Sequence, residues 1–508
     1  MPLNLRQLFL TSVVVSVFSA PHAFASDIRF TSDDAKTSDH IAIFLDGDRD
    51  MPDMMTPDME ATLERALESA DFKSTFGKHH TFYGLADMPA VTVIGAGEDS
   101  LDRRQLHDLG GHLAALPGDA PLTIFVDGLD TDVTTPSAEL ALGYQLGNYR
   151  FETYKSKKSE DDRDLVFIGA DEIASDALLE DDYQALADSV SMVRDLGNAP
   201  GLEIYPETFI DRVRSEARGI PNLKVSVMGV RELEREGMGG ILGVGKGSIH
   251  DPAMLVLEYM GGGRNDASLA LVGKGITFDT GGISLKPNSG QWLMKSDLSG
   301  AAAVGGTVIA AAKRGADVNL IGVMPLAENM PSERAIRPGD VLETYDGTTI
   351  EVMSTDAEGR LLLIDAVPYT IEKYEPELIV NIATLTGSAA RAMGDEYAAM
   401  VTRDFDLARE MMDIGERAGE DVWPLPLHPN HYDQIKSGIA DIKSTGGAPG
   451  ASIGAAVIGT VVNEDQAWVH LDIAGVDWRE SATPTAPKGH AGWGVRFMDQ
   501  LVRDFEEK

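Results

Sequence analysis

Short apolar runs alternate with longer helix-periodic stretches through most of this chain, and that rhythm admits few architectures. Apolar runs at residues 40–45, 91–94, 122–126 and 165–168 are separated by helix-like stretches such as 58–70 and 106–116. A polar, charge-dense stretch at 155–164 and a helical pattern over 171–196 follow. The rhythm then resumes with strand-like runs at 253–258, 268–272, 318–324 and 378–383, interleaved with helices over 299–314 and 359–373. Strands alternating with helices imply a parallel or mixed sheet with helices on its faces. The expectation is an α/β protein of two domains. A smaller N-terminal α/β domain spans 26–175, and a larger C-terminal domain, with a mixed sheet flanked by helices, spans 176–508 and includes the linker helix. Glycine pairs at 239–240, 281–282, 305–306 and 446–447 mark the second domain, as expected of loops that approach a ligand or metal closely. Val-Gly-Lys-Gly occurs at both 244–247 and 272–275 in unlike surroundings, so no internal repeat is read from it.

Composition narrows the partners. With 43 basic against 81 acidic residues the net charge is −38, which repels phosphate backbones and anionic headgroups. Nucleic acid and membrane surfaces are therefore not expected as partners. The chain has no cysteine, which removes disulfides, thiolate nucleophiles and Cys-based zinc sites. Near the N-terminus, Arg6 precedes a mainly apolar run at 8–20 and then Ala23-Phe24-Ala25. This is the pattern of a cleavable signal peptide at 1–25, so export to a bacterial periplasm or beyond is expected. The run is shorter than the roughly 20 residues a membrane span needs.

Some motifs read blandly. Residues 240–246 spell G-x-x-x-x-G-K, but Gly247 stands where a phosphate-binding loop needs Ser or Thr, so a glycine-rich turn is expected there. His-Glu-x-x-His is absent, and His79-His80 lacks carboxylates at ligand spacing. No G-x-S-x-G occurs in a strand-turn-helix setting.

Two stretches carry chemistry. Lys274 follows the strand at 268–272, Asp279 precedes Thr280-Gly281-Gly282, and Asp297 stands just before the helix at 299. These side chains can converge at one edge of a sheet, where open α/β folds keep their sites, although aspartates near a helix start also serve as caps. In Ser354-Thr355-Asp356-Ala357-Glu358-Gly359-Arg360, an extended backbone would put Asp356 and Glu358 on one face. The apolar residues on either side imply partial burial, and two buried carboxylates on one face call for a positive partner, plausibly a metal.

Together these runs closely resemble the leucyl aminopeptidases of the cytosol aminopeptidase type. The resemblance rests on Val272-Gly273-Lys274-Gly275-Ile276-Thr277-Phe278-Asp279-Thr280-Gly281-Gly282, Met294-Lys295-Ser296-Asp297 and Thr355-Asp356-Ala357-Glu358-Gly359-Arg360-Leu361. Further likeness lies in Arg194 to Pro200, Ala383-Thr384-Leu385-Thr386-Gly387 and His470-Leu471-Asp472-Ile473-Ala474-Gly475, and it covers roughly 185–500.

The resemblance implies a metallo-aminopeptidase with two divalent ions per subunit, manganese or zinc, acting on peptides with a free N-terminus. Asp279 and Glu358 would touch both ions, Lys274 and Asp297 would complete the tightly held site, and Asp356 the more exchangeable one. Four carboxylates balance two dications, so Lys274 could join only as a neutral amine. Likeness also assigns Lys286 to the scissile carbonyl and Arg360 to a bicarbonate ion that shuttles protons. Met294, Thr384, Leu385 and Gly387 would line the side-chain pocket and bind substrate backbone, with Leu or Met preferred at the first position. Family members assemble as homohexamers. Ser354 departs from the usual asparagine but removes no ligand. Two alternatives remain at this point, a non-catalytic peptide-binding relative and a two-metal phosphoesterase.

Overall fold

The computed structural model describes residues 27–32, 38–47, 51–52, 55–85, 88–159, 163–263 and 268–507. The signal-like segment at 1–25 lies outside the described residues. In the N-terminal part, a six-stranded sheet has the order Ile28–Thr31, Leu165–Ile168, Leu122–Phe125, His40–Asp46, Met88–Gly97, His79–Leu85. Neighbours are parallel except the last pair, which is antiparallel. His79 and His80 lie exposed on that edge strand.

The C-terminal part is built on a nine-stranded mixed sheet. Its centre is a parallel run of Ala467–Asp472, Leu378–Ala383, Ser268–Gly273 and Asn319–Asn329. Antiparallel strands Ala398–Thr402 and Ala253–Met260 flank it. Both faces of the central strands are covered, and the period of two decides which residue goes where. Leu269 and Leu271 enter the core shared with helices Ser299–Lys313 and Val495–Glu506. Ala270 and Val272 enter the core shared with helices Gly359–Tyr374 and Gly450–Gly459.

Helix Ser299–Lys313 is rich in Ala and Gly and almost wholly buried, so its backbone lies close to the sheet. A Cβ at Gly300 would stand 2.2 Å from the Ile382 carbonyl oxygen. That close approach carries Asp297, two residues before the helix, onto the strand ends.

The helical pattern at 171–196 resolves into Glu172–Leu178, a π-helical turn Leu179–Tyr183 and helix Gln184–Asn198. Residues of the G-x-x-x-x-G-K segment form a short helix, Gly239–Gly245, rather than a turn. A Cβ at Gly240 would meet the Leu361 carbonyl oxygen at 2.0 Å, so the glycine serves helix–helix contact. Among the described residues no helix is long and apolar enough to cross a membrane.

Candidate active site

The carboxyl ends of the parallel strands gather the chemistry, as expected where strand ends meet helix starts. Lys274 directly follows Ser268–Gly273, Asp279 ends the short strand Gly275–Asp279, Asn329 ends Asn319–Asn329, Thr384 follows Leu378–Ala383, and Asp472 ends Ala467–Asp472. Asp297 and Glu358 precede the helices that begin at Ser299 and Gly359.

Two ammonium groups bridge four carboxylates. Lys274 Nζ lies 2.8 Å from Asp297 Oδ1 and 2.9 Å from Glu358 Oε1. It also donates to the Thr384 carbonyl at 2.7 Å. Lys286 Nζ lies 2.8 Å from Asp279 Oδ2 and 2.7 Å from Asp356 Oδ1. Carboxylate oxygens of Asp279, Asp356 and Glu358 all fall within 4.8 Å of one another.

Burial works against the charge on Lys274, but Asp297, Glu358 and Asp279 outweigh it and hold its pKa above the ordinary lysine range. Burial likewise opposes the charge on Glu358, yet Lys274 and Lys286 hold that carboxyl down at about 2. Asp279 is pushed up to about 6 by burial and by Glu358. Burial lifts Asp297 and Asp356 as well, and lowers Arg360.

Two carboxylate oxygens, Asp297 Oδ2 and Glu358 Oε2, are buried without a hydrogen-bond partner. Orphaned buried carboxylate oxygens cost several kcal/mol unless a cation meets them. Four carboxylates against two ammonium groups leave an excess of acidic groups in a cluster that is buried apart from Asp356, and four carboxylates with one amine suit divalent ions. The residues present therefore fit a pair of divalent metals.

The turn that brings Asp356 and Glu358 together is not the extended segment expected from the sequence. Residues 355–356 form a turn, and Glu358 already has helical backbone angles of φ −76° and ψ −37°. The two carboxylates converge through that turn rather than by strand alternation. Gly359 makes room for the lysine: a Cβ there would lie 2.6 Å from Lys274 Cδ and 2.7 Å from its Cε. Asp297 does not cap the following helix, whose first turn has no side-chain cap.

Several supporting residues carried little signal in the sequence. Asn329 Nδ2 donates to Asp279 Oδ1 at 2.7 Å and to the Thr355 carbonyl at 3.0 Å, fixing one ligand candidate against the loop of another. It closes a strand of apolar residues, where no pattern marks it. Asp472 accepts from Leu385 N, Thr386 N and Thr386 Oγ1 at 3.0, 3.2 and 2.7 Å and so shapes the Thr384–Gly387 loop. Its motif, His470 to Gly475, was visible, but its partners were not.

Ser299 Oγ meets His490 Nε2 at 2.8 Å and donates to Asp477 Oδ2 at 3.3 Å, and Ser296 Oγ donates to the same oxygen at 3.0 Å. Gly492 N donates to His490 Nδ1 at 3.2 Å, so Nε2 carries the proton and cannot take one from Ser299. This trio anchors the segment that bears Asp297 and is no serine nucleophile.

A cleft of about 330 Å³ opens beside the carboxylates, lined by Lys286, Asp356, Arg360, Leu385, Gly387 and Arg391 among others. Arg360 Nη1 donates to the Ser444 carbonyl at 2.9 Å, and its Nε has no partner. Leu385 and Gly387 face this cleft. Thr384 turns inward instead, donating to Asp297 Oδ1 at 2.6 Å. Met294 is partly buried on the 3₁₀ turn Gln291–Ser296 and is not among the residues lining the cleft.

Comparison with known proteins agrees with this arrangement. The pattern of the cytosol aminopeptidase family, catalytic domain, matches residues 191–498, and that of the family's N-terminal domain matches 55–158. A probable cytosol aminopeptidase of Rickettsia peacockii (strain Rustic) is 34% identical over 503 residues, covering 94% of this chain and 99% of the relative. The cytosol aminopeptidase of Rickettsia prowazekii (strain Madrid E) is 34% identical over 501 residues, with the same coverage of 94% and 99%. Among solved structures, bottromycin maturation enzyme BotP in complex with Mn has a TM-score of 0.81 at 29% identity, covering 92% of this chain and 100% of that one. A mutant of tomato leucine aminopeptidase has a TM-score of 0.82 at 26% identity, covering 95% and 97%.

These relatives overturn the expectation of export. Proteins aligned over 94% of the chain are named cytosol aminopeptidases. The periplasmic or secreted reading rested on Arg6, the short apolar run at 8–20 and Ala23-Phe24-Ala25, a segment outside the described residues. With both family patterns in order along the chain and the carboxylate–lysine cluster at the strand ends, the chain belongs to the cytosol aminopeptidase family and is a metal-dependent aminopeptidase.

Proposed function

We propose that this enzyme is a leucyl aminopeptidase that removes the first residue of peptides, with Lys274, Asp279, Asp297, Asp356 and Glu358 holding two divalent ions, manganese or zinc. The observation that carries the reading is the pair of orphaned buried oxygens, Asp297 Oδ2 and Glu358 Oε2, beside the carboxylate trio. When bound, two divalent ions supply Lewis acidity and make water nucleophilic at neutral pH.

The chain's own residues do the rest. The carboxylate cluster of Asp279, Asp356 and Glu358 marks the place beside the cleft that receives the N-terminus of a peptide. Lys286, set between Asp279 and Asp356, is within reach of a carbonyl placed over them and offsets charge developing on its oxygen. Arg360, anchored on Ser444, holds a bicarbonate ion that supplies a base for moving a proton. Leu385 and Gly387 contact the substrate in the cleft, Thr384 steadies Asp297, and Met294 belongs to a pocket for Leu or Met side chains.

Leucine p-nitroanilide hydrolysis before and after EDTA tests the core of this reading. Activity is expected to vanish on chelation, to return with Mn²⁺ or Zn²⁺, and to rise when bicarbonate is added to carbonate-free buffer. Full activity in EDTA-treated, metal-free protein would sink it. In the same assay, a panel favouring Asp, Glu or Pro at the first position would contradict the leucyl preference.

We further propose a homohexamer, on family likeness, and a boundary between units 26–175 and 176–508. The boundary is supported by the first sheet ending at Ile168 while Gln184–Asn198 packs against Ser299–Lys313. A monomeric mass by light scattering would remove the hexamer.

A further inference from the structure

The cleft beside the carboxylate trio is lined by one carboxylate, Asp356, and by three cations, Lys286, Arg360 and Arg391. Lys286 is paired with Asp279 and Asp356, and Arg360 donates to the Ser444 carbonyl. Arg391 sits near the end of the short helix Gly387–Met393, yet its side chain runs back toward the helix start. Its Nη1 would lie 3.2 Å from a Cβ on Gly387, a residue that itself lines the cleft. Any side chain at position 387 would press on the guanidinium, so glycine there leaves it room.

Four of the residues that line the cleft with Arg391 are glycines, Gly387, Gly446, Gly447 and Gly450, which carry no side chain. Arg391 itself is exposed, and among the described residues no carboxylate pairs with it. In a chain with 81 acidic and 43 basic residues, an arginine at the active-site cleft without an acidic partner is chemically conspicuous. A guanidinium offers a planar fork of donors that matches a carboxylate.

We propose that Arg391 binds the C-terminal carboxylate of short peptide substrates, so that the cleft holds a peptide at both ends, its N-terminus at the carboxylate cluster and its C-terminal carboxylate against Arg391. The inference rests on the aminopeptidase reading and names its substrate class. A volume of about 330 Å³ is near the lower end of the roughly 300–1,000 Å³ usual for ligand sites, which suits a short peptide better than the folded end of a protein. The overall charge of −38 pulls the other way, favouring a more cationic C-terminal amide. A preference for the free acid therefore isolates the local arginine.

The test compares kcat/KM for leucyl-glycyl-glycine, its C-terminal amide, and leucyl-glutamyl-glycine amide, in wild type and in Arg391→Gln. Wild type is expected to prefer the free acid over its amide about fivefold, through KM, as fits an exposed charge pair. The preference shrinks as salt rises from about 0.02 M to about 0.5 M, and Arg391→Gln brings the ratio near one. A ratio near one in wild type, or one that survives Arg391→Gln, overturns the proposal. A gain confined to the glutamyl amide overturns the terminal carboxylate as the ligand. Because the readout is a ratio, failure here is distinct from failure of the aminopeptidase reading, which would be loss of hydrolysis of both the peptide amide and leucine p-nitroanilide.

Discussion

Glu358→Gln is expected to lower kcat by about a thousandfold or more while the protein stays folded. The substitution keeps the shape of the side chain but removes its charge. Oε1 accepts from Lys274 and Oε2 is the orphaned atom that a metal would meet. A divalent ion contributes several kcal/mol to stabilising charge in the transition state, and each 1.36 kcal/mol is about tenfold in rate. Metal analysis after dialysis is expected to find fewer than two ions per subunit, with an unchanged circular dichroism spectrum. Activity within tenfold of wild type and two retained ions would show that Glu358 is not a ligand.

The second large effect falls on stability. Lys274→Met in chelated protein is expected to cost about 3–5 kcal/mol, because Asp297 and Glu358 lose the buried ammonium they share. The pH dependence has a definite sign. In wild type, Glu358 is held at about 2 against an ordinary 4.5. Its stabilising contribution is present above pH 4.5 and is lost as pH falls toward 2. Without Lys274, Lys286 alone opposes the effect of burial on the same carboxyl, so the variant loses stability relative to wild type as pH rises. The gap in urea midpoint between the two chelated proteins should therefore be widest near neutral pH and narrow as pH falls below 4.5 toward 2. A gap that stays constant from pH 7 to pH 3 would mean that the lost stability is packing and not charge.

Much of the fold was legible because buried strands are runs of branched apolar residues. Leu165–Ile168 and Leu378–Ala383 end where their apolar runs end. The strand Gly275–Asp279 was not anticipated, since it pairs only with the far end of Asn319–Asn329 and its register shifts within five residues. The π turn at Leu179–Tyr183 likewise leaves no mark on the helical pattern.

At the site, residue types and order named Lys274, Asp279, Asp297, Asp356 and Glu358, which the fold brings together as two bridged pairs. How they meet was less legible. The backbone at 355–358 turns where alternation suggested a strand, because Gly359 has to pass within van der Waals contact of the Lys274 stem and the helix starts there. Asn329 and Asp477 act through contacts 50 and 181 residues away in sequence, and such partners have no local pattern. Export was misread for the opposite reason: a local pattern was present, and the relatives aligned over nearly the whole chain carry cytosolic names.

The bond from Lys274 to the Thr384 carbonyl joins residues 110 apart in the chain. On the ribosome, at about 5–20 residues per second, the lysine waits roughly 5–20 s for that acceptor to be made, and Asp472 emerges later still. The full set of contacts around Lys274 can therefore close only after the last central strand has been synthesised, well after the lysine and the acidic residues have themselves been made.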